Sequence, residues 1–440
     1  MDQQRIKQIM GLALPIIGGM VSQNVINLVD TAMVGHLGDD ALAAVGIGGV
    51  VAFMSTALVM GLSHGVQAIV ARRKGEGKLD SMALPLNGGL LICALISLPM
   101  MVVLYQLAPY FLPYLVDDTA VVDHGIPYLQ VRMLGILAVG INFTFRGYWN
   151  GVNLSKLYMR TLIVMHISNV IFNYVFIFGK FGMPEYGVVG ASMGTAISLY
   201  IGSAYYMWLG YKYAREAGFM SGLPDAKVLK NIVKVSLPTS IQNLFFASGL
   251  TMFFWIVGHL GASELAASQV LINLLLVAIL PGLGFGLASA TLVGQSLGRK
   301  NREEAKQWAY DVGKIAVVFI MVLSIPALVY PEYVLMVFLK DAETLEMARW
   351  PLRFIAATIA FDVWGNVMMN SLLGAGDSRR VMKVSILMQW AFNLPLAYVF
   401  GPVLGYGLLA IWGVQSLYRV LQAVVMTIFW AKEHWADIEL

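Results

Sequence analysis

Two carboxylates stand where a carboxylate is costly. Asp30 lies in the apolar stretch that leads into Val34-Gly35-His36-Leu37-Gly38, and Asp362 lies in the middle of the stretch from Met347 to Gly374. The other acids fall at the ends of apolar runs or between them, and Asp311 is expected at a helix start, where an acid suits the helix dipole. At the centre of a membrane helix an ionisable side chain costs at least about 2.5 kcal/mol, so it marks a pathway for ions or protons by default. Asp30 is therefore a candidate functional residue, with Asp362 as a secondary candidate and a neutral, hydrogen-bonded structural acid as the alternative for either. Polar groups that could gather near Asp30 are Gln23, Tyr128, Asn142, Asn169, Asn173 and Thr195. Gln23 is seven residues before Asp30, and Asn169 is four before Asn173, so each pair lines one helix face.

The elements that must position these groups occur twice. Val34-Gly35-His36-Leu37-Gly38 returns as Val257-Gly258-His259-Leu260-Gly261, 223 positions later in a chain of 440 residues. Pro15 and Pro238, Gly75 and Gly298, Gly151 and Gly374, and Met159 and Met382 repeat at the same offset. A repeat of this length sets the architecture: residues 1–218 form one half and residues 219–440 its copy. The copy of Asp30 is Phe253, so the halves share a scaffold and differ in the carboxylate.

The chain is 58% hydrophobic and 12% charged, roughly half the charge of a soluble domain, and it carries runs such as Val50–Leu62 and Gly88–Leu104. The pattern predicts an all-α integral membrane protein, because a single spanning segment must satisfy its own backbone. Twelve helices are expected, at 8–34, 41–70, 84–108, 125–150, 158–179 and 186–212, then 231–258, 264–295, 310–338, 347–374, 381–401 and 406–431. Strand-like alternation is missing from these runs, which excludes a β-barrel. Lys and Arg concentrate in alternate loops (Arg72, Arg73, Lys74; Lys156, Arg160; Lys227, Lys230; Arg299, Lys300, Arg302; Arg379, Arg380). The other loops carry Asp39, Asp40, Asp117, Asp118, Asp123, Glu264, Glu332 and Asp341. Both termini and the central linker are thus expected on the cytoplasmic side of an inner membrane. The same rule accounts for the basic charge balance, so no nucleic-acid partner is expected.

Other signals carry less. Arg5 and Lys7 before an apolar run resemble a signal peptide, but the copy of that run at 234–262 lies mid-chain, so a retained helix is expected. Gly282-Leu283-Gly284-Phe285-Gly286 sits inside an apolar run without a βαβ context and does not read as a phosphate loop. Cys93 is the one cysteine and the six His show no ligand spacing, so neither a disulfide nor a metal site is expected. His36 and His259, each two residues before a glycine, read as helix-end groups. No nucleophile–base pair is present, and an enzyme is not expected.

Pro15 followed by an apolar run into Asp30-Thr31-Ala32-Met33-Val34-Gly35-His36-Leu37-Gly38 resembles the first helix of the multidrug and toxic compound extrusion (MATE) transporters. Leu292-Val293-Gly294-Gln295-Ser296-Leu297-Gly298, with Glu304-Ala305 beyond, is similar to that family's loop after its eighth helix. The resemblance covers the whole chain. It implies two six-helix lobes in a V, alternating access between the two sides of the membrane, and export of drugs and dyes. The lone acid of the first half resembles the proton-coupled, DinF-like branch. By that resemblance Asp30 would accept the proton, Gln23, Tyr128, Asn142, Asn169, Asn173 and Thr195 would line its cavity, and Pro15 would be the hinge of the first helix. The sodium-coupled branch carries an acid in its seventh helix as well as its tenth, and Ser236–Gly258 here has none.

The function expected is proton-coupled efflux of lipophilic, often cationic drugs, with no cofactor beyond the coupling ion, and with membrane lipid and small-molecule substrates as partners of a monomer. Aromatic walls such as Phe253, Phe254 and Phe361 could add cation–π contacts. Two alternatives stand beside it: sodium-coupled drug antiport, and flipping of a lipid-linked precursor. The second would call for cations among the spans, where Arg132, Arg146, Lys314, Arg353 and Arg419 are the candidates.

Overall fold

The computed structural model describes residues 2–116 and 118–440, so Asp117 lies outside the described residues. Helices account for the regular structure: α1 Gln3–Gly35, α2 Asp39–Gly75, α3 Leu79–Tyr114, α4 in two segments Thr119–Leu134 and Ile136–Gly151, α5 Ser155–Ile177 and α6 Gly187–Tyr213. The second half repeats them as α7 Ala226–Gly258, α8 Ala262–Gly298, α9 Arg302–Val329, α10 Ala342–Ala375, α11 Ser378–Val403 and α12 Gly407–Ala431. Eleven are long and apolar enough to cross a membrane, and the bent α4 makes the twelfth when its segments are taken as one span. The repeat holds at the level of the helices: α1 and α7 are both 33 residues long, and Pro15 and Pro238 hold the same place in them.

Glycine and proline explain where the spans break. α2 breaks at Gly61, where a Cβ would fall 2.4 Å from the backbone oxygen of Ser236 on α7. Gly135 separates the segments of α4, which are bent by 43°. In α11 two wide π-helical stretches, Leu387–Asn393 and Val399–Val403, flank Pro395 and include Pro402, whose missing N–H groups interrupt the ladder.

Two expectations need correction here. The ninth span was expected to continue to 338, but it ends at Val329 and a short helix, Pro331–Met336, follows. Pro331 forces Tyr330 out of the helical region, with φ −126° and ψ 57°. Asp311 was expected at a helix start, yet α9 begins at Arg302, with the Asn301 side chain accepting from the Glu304 N–H at 3.0 Å. Asp311 lies well inside the helix and pairs with Arg5 at 3.1 Å. The histidine expectation is met in both halves: His36 and His259 place Nδ1 2.7 Å and 2.9 Å from the carbonyls of Ala32 and Trp255.

Packing divides the chain into Gly18–Leu244 and a second unit of Met1–Ile17 with Phe245–Leu440. These divisions fall inside α1 and α7, whereas the sequence repeat divides at 218/219. In the first unit Phe145 stacks on Tyr206 with ring centroids 5.3 Å apart. In the second, Trp435 stacks on Trp430 at 4.0 Å and donates its indole N–H to the Trp430 carbonyl, which closes the C-terminal end over the core. Lys306 donates to Glu433 nearby, and that hydrogen bond holds the Glu433 carboxyl below the usual glutamate range. Leu28, Val318, Val322 and Val337 are among many large apolar side chains left exposed, as a surface solvated by lipid requires.

Candidate functional site

Asp30 lies one turn and a half before the end of α1, half-buried, and faces α5. Its carboxylate accepts a hydrogen bond of 2.7 Å from the Asn173 amide. The same amide nitrogen lies 3.4 Å from Asn169 Oδ1, and Asn169 donates to the Thr195 hydroxyl on α6 at 3.4 Å. The four-residue spacing of Asn169 and Asn173 puts both on the face of α5 that meets α1 and α6. Gly194 makes room for this contact, since a Cβ there would fall 2.1 Å from Asn173 Oδ1. Four expected groups, Asp30, Asn169, Asn173 and Thr195, thus form one connected chain.

The other three expected residues stand apart from that chain. Gln23 is exposed and pairs with Asn27 at 3.2 Å and with His166 at 3.2 Å. Asn142 is buried in a separate network, donating to the Leu199 carbonyl at 3.2 Å and accepting from Ser203 at 2.9 Å. Tyr128 packs in an apolar cluster with Val34, Ile177 and Val188, its ring fitted against Gly48. Sequence reading did not single out Asn27 and His166 as partners of Gln23. It also missed that Arg132, four residues beyond Tyr128 on α4, acts electrostatically on Asp30. The four-residue step from Tyr128 to Arg132 was the available signal.

Asn173 is half satisfied in a way that bears on Asp30. Asn173 is fully buried, and its Oδ1 has no hydrogen-bond partner while its nitrogen donates to the carboxylate. Rotating the amide by half a turn would exchange donor and acceptor. The same side chain can then donate to an ionised Asp30 or accept from a protonated one.

Asp362, the secondary candidate, is buried in an ion pair: Arg419 on α12 donates from Nη1 to Oδ1 at 3.1 Å. The pair lines a small cavity with Thr358, Trp412, Gln415 and Ser416. The position equivalent to Asp30 carries no polar group here. Phe253 is 3% exposed and meets Trp412 edge to face at 5.6 Å, and the Trp412 indole N–H is spent on Ser268. Phe253 is therefore core rather than cavity wall. Among the described residues no cluster of His, Cys, Asp and Glu could hold a metal ion.

The chain matches the MatE family model twice, over residues 15–175 and 238–399, starting at the paired prolines Pro15 and Pro238. It is 26% identical over 98% of its length, and 93% of the relative's, to the probable multidrug resistance protein NorM of Thermotoga maritima. It is 25% identical to the multidrug resistance protein NorM of Photobacterium profundum, over 91% of this chain and 88% of that one. Among solved structures, an outward-facing multidrug resistance MATE family transporter superposes with a TM-score of 0.88 at 21% identity, covering 97% of this chain and 95% of the other. A transporter of the same wider superfamily from Pyrococcus furiosus, described as having a binding pocket of reversed polarity, gives 0.86 at 22% identity, over 97% and 95%.

Proposed function

The chain belongs to the MatE family, and we propose that it is a proton-coupled exporter of lipophilic, often cationic drugs and dyes, of the DinF-like branch. Its place would be the inner membrane, as a monomer with both termini on the basic, cytoplasmic side. The observation that carries this reading is the hydrogen-bonded chain from Asp30 through Asn173 and Asn169 to Thr195. One carboxylate at membrane depth can hold either a proton or a cationic substrate. Each occupant then favours a different arrangement of the protein, which is what antiport requires. Asn173 serves both states of the carboxylate without leaving its place.

Proton rather than sodium coupling is supported by the fate of the second acid. A sodium site needs several oxygen donors around a net negative charge, and Asp362 already has Arg419 as its counter-charge. The names of the relatives, multidrug resistance proteins, support drugs as the cargo.

The deciding measurement is dye efflux from cells under an imposed pH gradient, repeated under an imposed sodium gradient. The wild type should respond to the first and not the second. Asp30→Asn, a shape-conserving mimic of the protonated state, should insert normally and lose efflux and resistance. Wild-type efflux with unchanged pH dependence in that variant would refute proton coupling at Asp30.

A further inference from the structure

Another charge of the unit Gly18–Leu244 lies inside a span, five residues before the end of α4, and the proton cycle makes no use of it. Arg146 stands four residues beyond Asn142 on α4 and is half-buried. Its Nε donates to the Ser63 hydroxyl at 2.9 Å, and its guanidinium lies over the Phe143 ring, 4.3 Å from the centroid. It also hydrogen-bonds the Tyr158 phenol, while Tyr206 and His64 stand close enough to interact with its charge. These neighbours are hydroxyls, rings and an imidazole. Among the described residues no Asp or Glu pairs with it, whereas Arg419 in the other unit has Asp362 at 3.1 Å.

An arginine does not shed its proton to escape such a place, and a cation held in low dielectric needs a counter-charge. The planar fork of the guanidinium matches two oxygens of a carboxylate or phosphate, and the buried Ser63 and Tyr158 hydroxyls hold that fork in place. We propose that Arg146, held in place by Ser63 and Tyr158, forms a binding site for the carboxylate or phosphate group of a ligand, separate from Asp30. The separation follows from α5, which carries Tyr158 beside Arg146 and Asn173 beside Asp30. Fifteen residues part them, about 22 Å at the rise of an α-helix. A drug-sized molecule bearing both charges does not bridge that distance, so it meets Arg146 and Asp30 in turn at two depths. The anion is either a carboxylate of the cargo or the phosphate of a lipid headgroup.

This deepens the exporter reading, since it names a second charge class for the cargo, but binding tests it without transport. The full-length protein in phosphatidylcholine nanodiscs is titrated with a rhodamine carrying a free carboxylate and, separately, with its methyl ester. Arg146→Gln should weaken the acid by about tenfold or more, the weight of one charge-assisted contact, and leave the ester within about twofold. Arg146→Lys keeps the charge without the fork and should fall between; should the Gln variant fail to fold, the Lys variant's selective loss for the acid decides. Phosphatidylglycerol that weakens acid binding to the wild type alone assigns the site to a lipid phosphate, and no such competition assigns it to the cargo. Equal loss for both dyes, or undiminished acid binding in a folded Arg146→Gln protein, overturns the site. Neither result touches Asp30, whose role is read from the proton dependence of the ester.

Discussion

At the scale of single residues, the two intramembrane acids differ by their partners. Asp30 faces amides, which can serve either protonation state, and Asp362 faces a guanidinium, which fixes one. The spacing of Asn169 and Asn173 made the first network legible in sequence, because residues four apart share a helix face. Arg419 was not legible as the partner of Asp362: the two are 57 residues apart on different helices, and no periodicity links them. The ion pair also changes what Asp362→Asn should do. Removing one member strands a buried cation, which costs about 3–5 kcal/mol, so the variant should lose stability before it loses coupling. The double variant Asp362→Asn/Arg419→Gln should recover most of the melting temperature and retain a substantial share of dye efflux under a pH gradient. Full stability with near-complete loss of efflux in the double variant would move the coupling site to Asp362.

At the scale of elements, helix number and order were readable from apolar runs, and helix ends were not. The boundary at Tyr330 depended on the residue before a proline, and the displaced start of α9 depended on the Asn301 cap, both local effects inside a continuous apolar pattern. Pro15 lies twelve residues into α1 and is buried, so it is not a harmless first-turn proline. It leaves the Gly11 carbonyl without its N–H partner in the helix ladder, a weak point where α1 can bend. Pro15→Ala restores that hydrogen bond. The variant should melt no lower than the wild type while its efflux falls by about tenfold or more, because α1 carries Asp30, the proposed proton acceptor. Pro238→Ala, in the copy that ends in Phe253 rather than an acid, should impair efflux less. Efflux at the wild-type rate in Pro15→Ala would remove the hinge from the mechanism.

At the scale of the whole molecule, one helical plan is used twice, and the carboxylate of its first helix is present in one copy and replaced by a phenyl in the other. The scaffold was legible because repeats, prolines and glycines mark backbone geometry, and these recur at a constant offset. The distribution of function was legible only as a difference, the carboxylate at 30 against the phenyl at 253. The structure supplies the reason the two places are not interchangeable. Around Asp30 are Asn173 and, through it, Asn169 and Thr195; around Phe253 are the Phe254 and Trp412 rings, with the Trp412 indole N–H already given to Ser268. A carboxylate placed at 253 would lose aromatic packing worth about 3–5 kcal/mol and find no donor in return. Adding Phe253→Asp to Asp30→Asn should therefore lower the melting temperature and restore no efflux under a pH gradient, although the repeat makes the two positions formally equivalent. Recovered, pH-dependent efflux in that double variant would mean that the scaffold, and not the amide-lined setting on α5 and α6, is sufficient for coupling.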